Sequence, residues 1–149
     1  VSNEQKARAA RGLGANEAIL YRGLSVDDYV KKCTDGRGYD VVFDTVGGDN
    51  LDASFQAARY GGTIVNIAAR STHDLTPMHS RGLTLHVVFL VGQVANPLNR
   101  HSIKPRLEKL NELAENGDLQ PLIDQQQFEI EDVADAHAYL ESAREETGY

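Results

Sequence analysis

The segment from Gly38 to Gly48 (GYDVVFDTVGG) constrains the fold more than any other part of the chain. A glycine turn enters an uninterrupted apolar run, which stops at Asp44-Thr45 and opens into the pair Gly47-Gly48. An apolar run without alternation is the pattern of a strand covered on both faces, and such strands build parallel sheets sheathed by helices. In open α/β sheets, ligands sit beyond the carboxyl ends of the strands. The loop Val46-Gly47-Gly48 is therefore the first place to expect a ligand, because glycine lets a backbone come close to a bound group.

The flanking sequence alternates in the same sense. Ser2 or Asn3 caps a helix predicted to reach about Arg11, and Gly12 or Gly14 ends it. Ala18 to Tyr21 reads as a short strand. Ser25 caps the next helix, with Asp27 and Asp28 in its first turn and Lys31 and Lys32 in its last, which suits the helix dipole. Leu51 to Arg59 predicts a helix terminated by Gly61-Gly62, and Thr63 to Ile67 a second buried strand. A polar loop is expected from Ala68 to about Gly82, then a strand over Leu83 to Val91.

Beyond Asn96-Pro97, Ile103, Leu107, Leu110, Leu113 and Ala114 recur at helical spacing, predicting an amphipathic helix over about His101 to Glu115. Pro121 to Ile123 reads as extended, Gln125 to Ile130 as an edge segment, and Glu131 to Ala143 as a last helix. The alternation predicts a single α/β layered domain over residues 1–149.

Composition excludes several classes. A net charge of -7 argues against a nucleic-acid footprint or a basic membrane-binding surface. The one cysteine, Cys33, forms neither an internal disulfide nor a cysteine-rich zinc site. His73, His79, His86, His101 and His137 include no i, i+4 pair, so no metal site is expected, and His73 and His79 read as polar loop residues. No apolar run approaches the ~18 residues of a membrane span. The start is polar and helix-like, unlike a secretory signal, so a cytoplasmic location is expected. Val1 in place of methionine, and an end immediately after a helix, read as a chain cut from something longer.

Four stretches together carry a family resemblance: SNEQKARAARGLGA from Ser2, GRGYDVVFDTVGG from Gly36, GGTIVNIA from Gly61, and DLQPLIDQQQFEIEDVADAHAYL from Asp118. In this order and spacing they resemble the C-terminal two-thirds of the nucleotide-binding domain of medium-chain dehydrogenases/reductases, most of all the zinc-independent quinone oxidoreductase branch. The resemblance covers nearly the whole chain. It implies a partial Rossmann fold, a doubly wound and mainly parallel sheet. The family's glycine-rich phosphate fingerprint, G-x-G-x-x-G after a first strand, has no match here. The expectation is thus a domain lacking its first strands, with the catalytic domain absent as well.

The resemblance also implies roles. Ser2 and Lys6 correspond to the pair that holds the 2′-phosphate of NADP, and no acid stands at Val1 or Ser2 as NAD-selective members require. A plain serine cap beside a solvated lysine is the competing reading. Tyr21 matches a tyrosine near the same phosphate, or is an amphipathic strand end. Val46, Gly47 and Gly48 correspond to the loop along the cofactor's ribose and pyrophosphate, and also suit a turn capped by Asp49 or Asn50. Asn66, Ile67 and Ala68 match the segment at the nicotinamide ribose. Phe89, Leu90 and Val91 match the segment at the carboxamide, with core packing as the alternative for Phe89.

The implied activity is NADPH-dependent hydride transfer to a quinone, enone or carbonyl compound, with NAD the less favoured cofactor and no zinc in this chain. No catalytic side chain is assigned. Asp44 is read as a buried carboxylate bonded to loop amides, not as a base. Expected partners are a small-molecule substrate and further copies of the chain, as a homodimer or higher oligomer. The competing function is a non-catalytic fragment that serves only in binding or oligomerisation, since the apolar strand at Val41 to Asp44 would present an open edge.

Overall fold

Capping residues and glycines set the element boundaries. The structure is a computed structural model; it describes residues 1–98, 101, 103–121, 123–124 and 126–147, with residues 143–147 described by backbone alone. The elements in order are α1 (Glu4–Gly12), α2 (Val26–Thr34), β1 (Tyr39–Asp44), α3 (Asn50–Ala57), β2 (Ala58–Asn66), α4 (Thr76–Arg81), β3 (Thr84–Val87), α5 (Leu90–Ala95), α6 (Ile103–Glu115), a 3-10 turn (Ile130–Asp132) and α7 (Val133–Thr147). They fall into two compact units: residues 1–22 with 109–149, and residues 23–108.

The sheet belongs to the second unit. Its strands lie in the order β1-β2-β3 and run parallel. Val41 to Asp44 pair with Thr63 to Asn66, and those pair in turn with Thr84 to Val87. The core lies between α3 and the sheet: Leu51, Phe55, Ala58 and Ile64 are buried together, with Val42, Met78, Leu83 and Leu85 packed against them.

This corrects the expectation that β1 is covered on both faces. Val42 turns into the core, while Val41 is 60% and Phe43 63% exposed. Successive strand side chains alternate between faces, and α3 lies against the face that carries Val42.

Helix α2 shows how local sequence sets a boundary. Ser25 Oγ accepts the Asp28 amide at 3.2 Å, and the Asp28 carboxylate accepts the Ser25 amide at 2.9 Å, so two otherwise unpaired donors are satisfied reciprocally. Ser25→Ala should cost about 1 kcal/mol, and Ser25→Gly only a few tenths. Urea unfolding midpoints of the two variants check this; equal losses would show that the cap is not what holds the helix start.

Several boundaries depart from the sequence reading. Helix α3 ends at Ala57, not at Gly61-Gly62, because Arg81 Nη1 donates to the carbonyls of Phe55, Gln56 and Ala58 at 3.3, 2.7 and 3.0 Å. A distant arginine thus satisfies the helix end, and the two glycines fall inside β2. There the register against β1 jumps, from Tyr39↔Ala58 to Val41↔Thr63.

The expected polar loop contains α4, started by Asp74, whose carboxylate accepts the Thr76 amide at 2.9 Å, and ended at Gly82 with φ +62°. Strand β3 stops at Val87, not Val91, because its partner β2 stops at Asn66; Leu90 and Val91 begin a helix instead.

Ala18 to Tyr21 forms no strand, yet it is not isolated. The Val1 nitrogen donates to Ile19 O at 2.8 Å, and the Tyr21 amide to Val1 O at 3.4 Å, the alternation of a single parallel bridge. The expected edge segment at Gln125 to Ile130 is not a strand at residues 126–129 and turns at Ile130. Leu122 and Gln125, also part of the expected extended stretch, lie outside the described residues. Helices α1, α2, α6 and α7 lie where the periodicity placed them, within a few residues.

Candidate functional site

Strands β1 and β2 both end in a side chain that the next loop needs. Asp44 closes β1 and is 2% exposed. Its Oδ1 accepts the Val46 amide at 2.9 Å, the Gly47 amide at 3.0 Å and Asn50 Nδ2 at 2.8 Å. Its Oδ2 accepts Asn66 Nδ2 at 2.8 Å. Asn66, fully buried at the end of β2, accepts the Ala68 amide on Oδ1 at 2.7 Å. The Ile67 amide in turn reaches Asp44 O at 3.2 Å.

One carboxylate therefore ties the loop after β1, the start of α3 and the loop after β2 into a single knot. Burial alone would push its pKa up. The donors, the Gly47 amide foremost, outweigh that and hold it below the ordinary carboxylate value. A carboxylate whose oxygens accept four donors serves structure, as the sequence reading of Asp44 had it.

The glycine pair divides its labour. Gly47 is buried at φ +71°, and a Cβ there would lie 2.2 Å from Ala68 O, so the loops after β1 and β2 touch through it. Gly48 has φ +55°, and a Cβ there would meet nothing within 4 Å. Its backbone is open where Gly47 is closed. Val46 and Ile67 are exposed beside this knot, and Ala68 is half-buried. Asp49 stands at the α3 cap position without a side-chain cap bond, its own backbone being already helical at φ -59° and ψ -19°. Sequence offered Asn50 only as an alternative cap; its side-chain amide instead donates to Asp44, and only its place six residues past Asp44, at a helix start, hints at that role.

Past β3, the Val88 amide bonds Asn66 O at 2.9 Å, so this connection starts at the same buried asparagine. Phe89, Leu90 and Val91 follow and are all exposed, so core packing is not the role of Phe89. A Cβ on Gly92 would lie 2.7 Å from Phe89 Cδ1, which shows the ring folded back over the start of α5.

Ser2, Lys6 and Tyr21 belong to the other unit. Asn3, not Ser2, caps α1, its Oδ1 accepting the Lys6 amide at 2.9 Å. That releases Ser2 from the capping role. Ser2 is 8% exposed, and its hydroxyl is buried with no partner among the described residues. Buried hydroxyls rarely go unpaired, so an orphan beside a helix N-terminus fits an absent acceptor such as a phosphate oxygen. Tyr21 is exposed at the end of the segment bridged to Val1.

A cleft of about 410 Å³ lies elsewhere in the residue 23–108 unit, lined by Gly36, Arg37, Gly38, Arg59, Tyr60 and Arg81 among others. It sits where β1 and β2 begin, the opposite end from Asp44 and Asn66. Among the described residues, no three His, Cys, Asp or Glu side chains gather closely enough to hold a metal ion. No helix among them is long and apolar enough to cross a membrane.

Comparison with known proteins places this geometry in context. The family model for zinc-binding dehydrogenases matches residues 13–146. A quinone oxidoreductase of Pseudomonas aeruginosa is 31% identical over 152 aligned residues, covering 99% of this chain and 46% of that protein. The chloroplastic NADPH-dependent alkenal/one oxidoreductase of Arabidopsis thaliana is 32% identical over 142 residues, 95% of this chain and 30% of that protein. Among solved structures, the Escherichia coli quinone oxidoreductase complexed with NADPH aligns with a TM-score of 0.79 at 26% identity, over 95% of this chain and 44% of that one. The chain spans less than half the length of each of these relatives.

Proposed function

Since the chain belongs to the zinc-binding dehydrogenase family, in the quinone oxidoreductase branch of the medium-chain dehydrogenases/reductases, we propose that it is the cofactor-binding part of an NADPH-dependent oxidoreductase. The substrate class is a quinone, enone or carbonyl compound. The observation that carries this reading is the parallel sheet whose carboxyl-end loops are knotted by Asp44 and spaced by Gly47, aligned over 95% of the chain with an NADPH-bound quinone oxidoreductase. When bound, the nicotinamide supplies the hydride; the chain's own contribution is to bind, orient and exclude water.

In residues 1–22, the orphan Ser2 hydroxyl, Lys6 and Tyr21 would take the 2′-phosphate, a donor and a cation suited to a dianion. In the other unit, Val46, Gly47 and Gly48 would lie along ribose and pyrophosphate, with Gly48 offering the open backbone. Asn66, Ile67 and Ala68 would approach the nicotinamide ribose, and Phe89, Leu90 and Val91 its carboxamide. The same reading places no zinc in this chain. A cytoplasmic, homodimeric or larger assembly belongs to it as well, and in it this chain corresponds to part of a nucleotide-binding domain.

Calorimetric titration of NADPH, then NADH, into the chain tests this reading. Binding that prefers NADPH is the expected result. Lys6→Ala should weaken NADPH about tenfold, the loss of one charge-assisted contact, and leave NADH nearly unchanged. Equal losses for both cofactors would remove the 2′-phosphate assignment. A second reading, a non-catalytic binding or oligomerisation unit, is favoured by the exposed Val41 and Phe43 on edge strand β1. Under it a folded chain binds neither cofactor and light scattering reports association.

A further inference from the structure

Outside the knot at Asp44, three side chains from two stretches of the residue 23–108 unit are hydrogen-bonded in series. Asp52 lies in the first turn of α3, and Ser71 and His73 lie on the loop after β2. His73 Nδ1 is 2.9 Å from Asp52 Oδ1, and His73 Nε2 is 2.5 Å from Ser71 Oγ. An ionised carboxylate only accepts, so Nδ1 carries the proton and Nε2 turns its lone pair to the serine hydroxyl.

The imidazole is held in place. The His73 side chain is 8% exposed, and Phe55 from the core meets it edge-on with ring centroids 6.2 Å apart. Ser71, by contrast, is exposed. A serine, a base and a carboxylate that orients the base form the arrangement that activates a hydroxyl, whatever fold or chain order carries it.

We propose that Ser71 is a nucleophile activated by His73 and oriented through Asp52, able to take the acyl group of small activated esters. Ser71 Oγ attacks the acyl carbon while its proton passes to His73 Nε2. The bond to the leaving oxygen breaks, and that oxygen takes the proton from Nε2. Water, deprotonated in turn by His73, attacks the acyl-serine, releases the carboxylic acid and returns Ser71 to its hydroxyl form. Asp52 keeps its charge throughout and stabilises the imidazolium. No nicotinamide takes part, so the proposal stands or falls separately from cofactor binding.

The test is covalent labelling with a fluorophosphonate, followed by peptide mass spectrometry, on the whole chain. The P–O bond to Ser71 forms, the P–F bond breaks, and fluoride and a proton leave. The expected result is a single adduct on Ser71. His73→Gln should slow its formation about a hundredfold, the low end of the ~10²–10⁴ that a positioned base contributes. Asp52→Asn, which no longer dictates the tautomer, should slow it as well. Hydrolysis of p-nitrophenyl acetate should be lost in Ser71→Ala, an exposed loop change that leaves the fold intact. An unmodified Ser71 in the folded chain, an adduct elsewhere, or equal rates for wild type, His73→Gln and heat-unfolded protein would each overturn the proposal.

Discussion

Gly47→Ala is expected to destabilise the chain by roughly 3–5 kcal/mol, because a left-handed backbone and a collision act together. At φ +71° an alanine pays the left-handed penalty, ~1–2 kcal/mol. Its Cβ would also stand 2.2 Å from Ala68 O and 2.8 Å from Ala68 Cβ, so the loops after β1 and β2 must separate. That separation pulls on the Gly47 amide, one of the donors Asp44 relies on. The neighbouring glycine provides the control. Gly48→Ala meets no atom within 4 Å, so only the left-handed penalty applies, about 1 kcal/mol. Chemical denaturation of both variants decides the matter: equal midpoints would mean that the contact with Ala68 does not hold the two loops together.

Asp44→Ala should cost roughly 3 kcal/mol, since hydrogen bonds to a buried charge are among the strongest and their loss strands the donors. The amides of Val46 and Gly47 and the side-chain amides of Asn50 and Asn66 would all lose their acceptor. Asn66 is fully buried, so water cannot readily replace the carboxylate there. These four bonds share one group and are not additive, which is why the figure stays near that of a broken network and not of four separate bonds.

The same group sets an acid limit. Its pKa is lowered in the folded state, so the unfolded chain binds the proton more readily. Its stabilising contribution is therefore complete above the ordinary value of 3.8 and is lost as pH falls below that through the folded value. Urea midpoints measured from pH 6 down to pH 3 should fall at the acid end for wild type and fall less for Asp44→Ala. Parallel curves would show that Asp44 is not the group responsible.

Much of this was legible in the chain itself. Ser25 with Asp28, the acidic and basic turns of α2, and the positive-φ glycines at Gly48 and Gly82 act through neighbours a few residues away. Asp44 was readable too, because a carboxylate that ends an apolar strand before a glycine loop has amides within reach. Other features depend on partners far along the chain. The end of α3 is set by Arg81, and the end of β3 by where β2 stops at Asn66. No local pattern announces either. The exposure of Phe43 was misread for the same reason, since apolar character states a preference and only the packed layers decide whether it is met.

The candidate site divides along that line. Glycine spacing and family resemblance picked out Val46 to Gly48 and Asn66 to Ala68. The bonds that join those loops, Asp44 to Asn66 across 22 residues, are tertiary. Ser2 was read as cap or phosphate ligand, and it took the geometry of Asn3 to leave its hydroxyl without a partner among the described residues. His73 looked like a loop residue until folding set it between Asp52 and Ser71.

By itself the sequence determined the α/β class, the cap of α2 and several turns, because these rest on backbone preferences and contacts within one or two turns of chain, while the order of its motifs carried the family resemblance. Only the tertiary structure decided which face of β1 is covered, where strands stop, and which polar groups meet at the strand ends. Those outcomes depend on hydrogen-bond partners and packing surfaces that lie tens of residues apart and exist only once the sheet has formed.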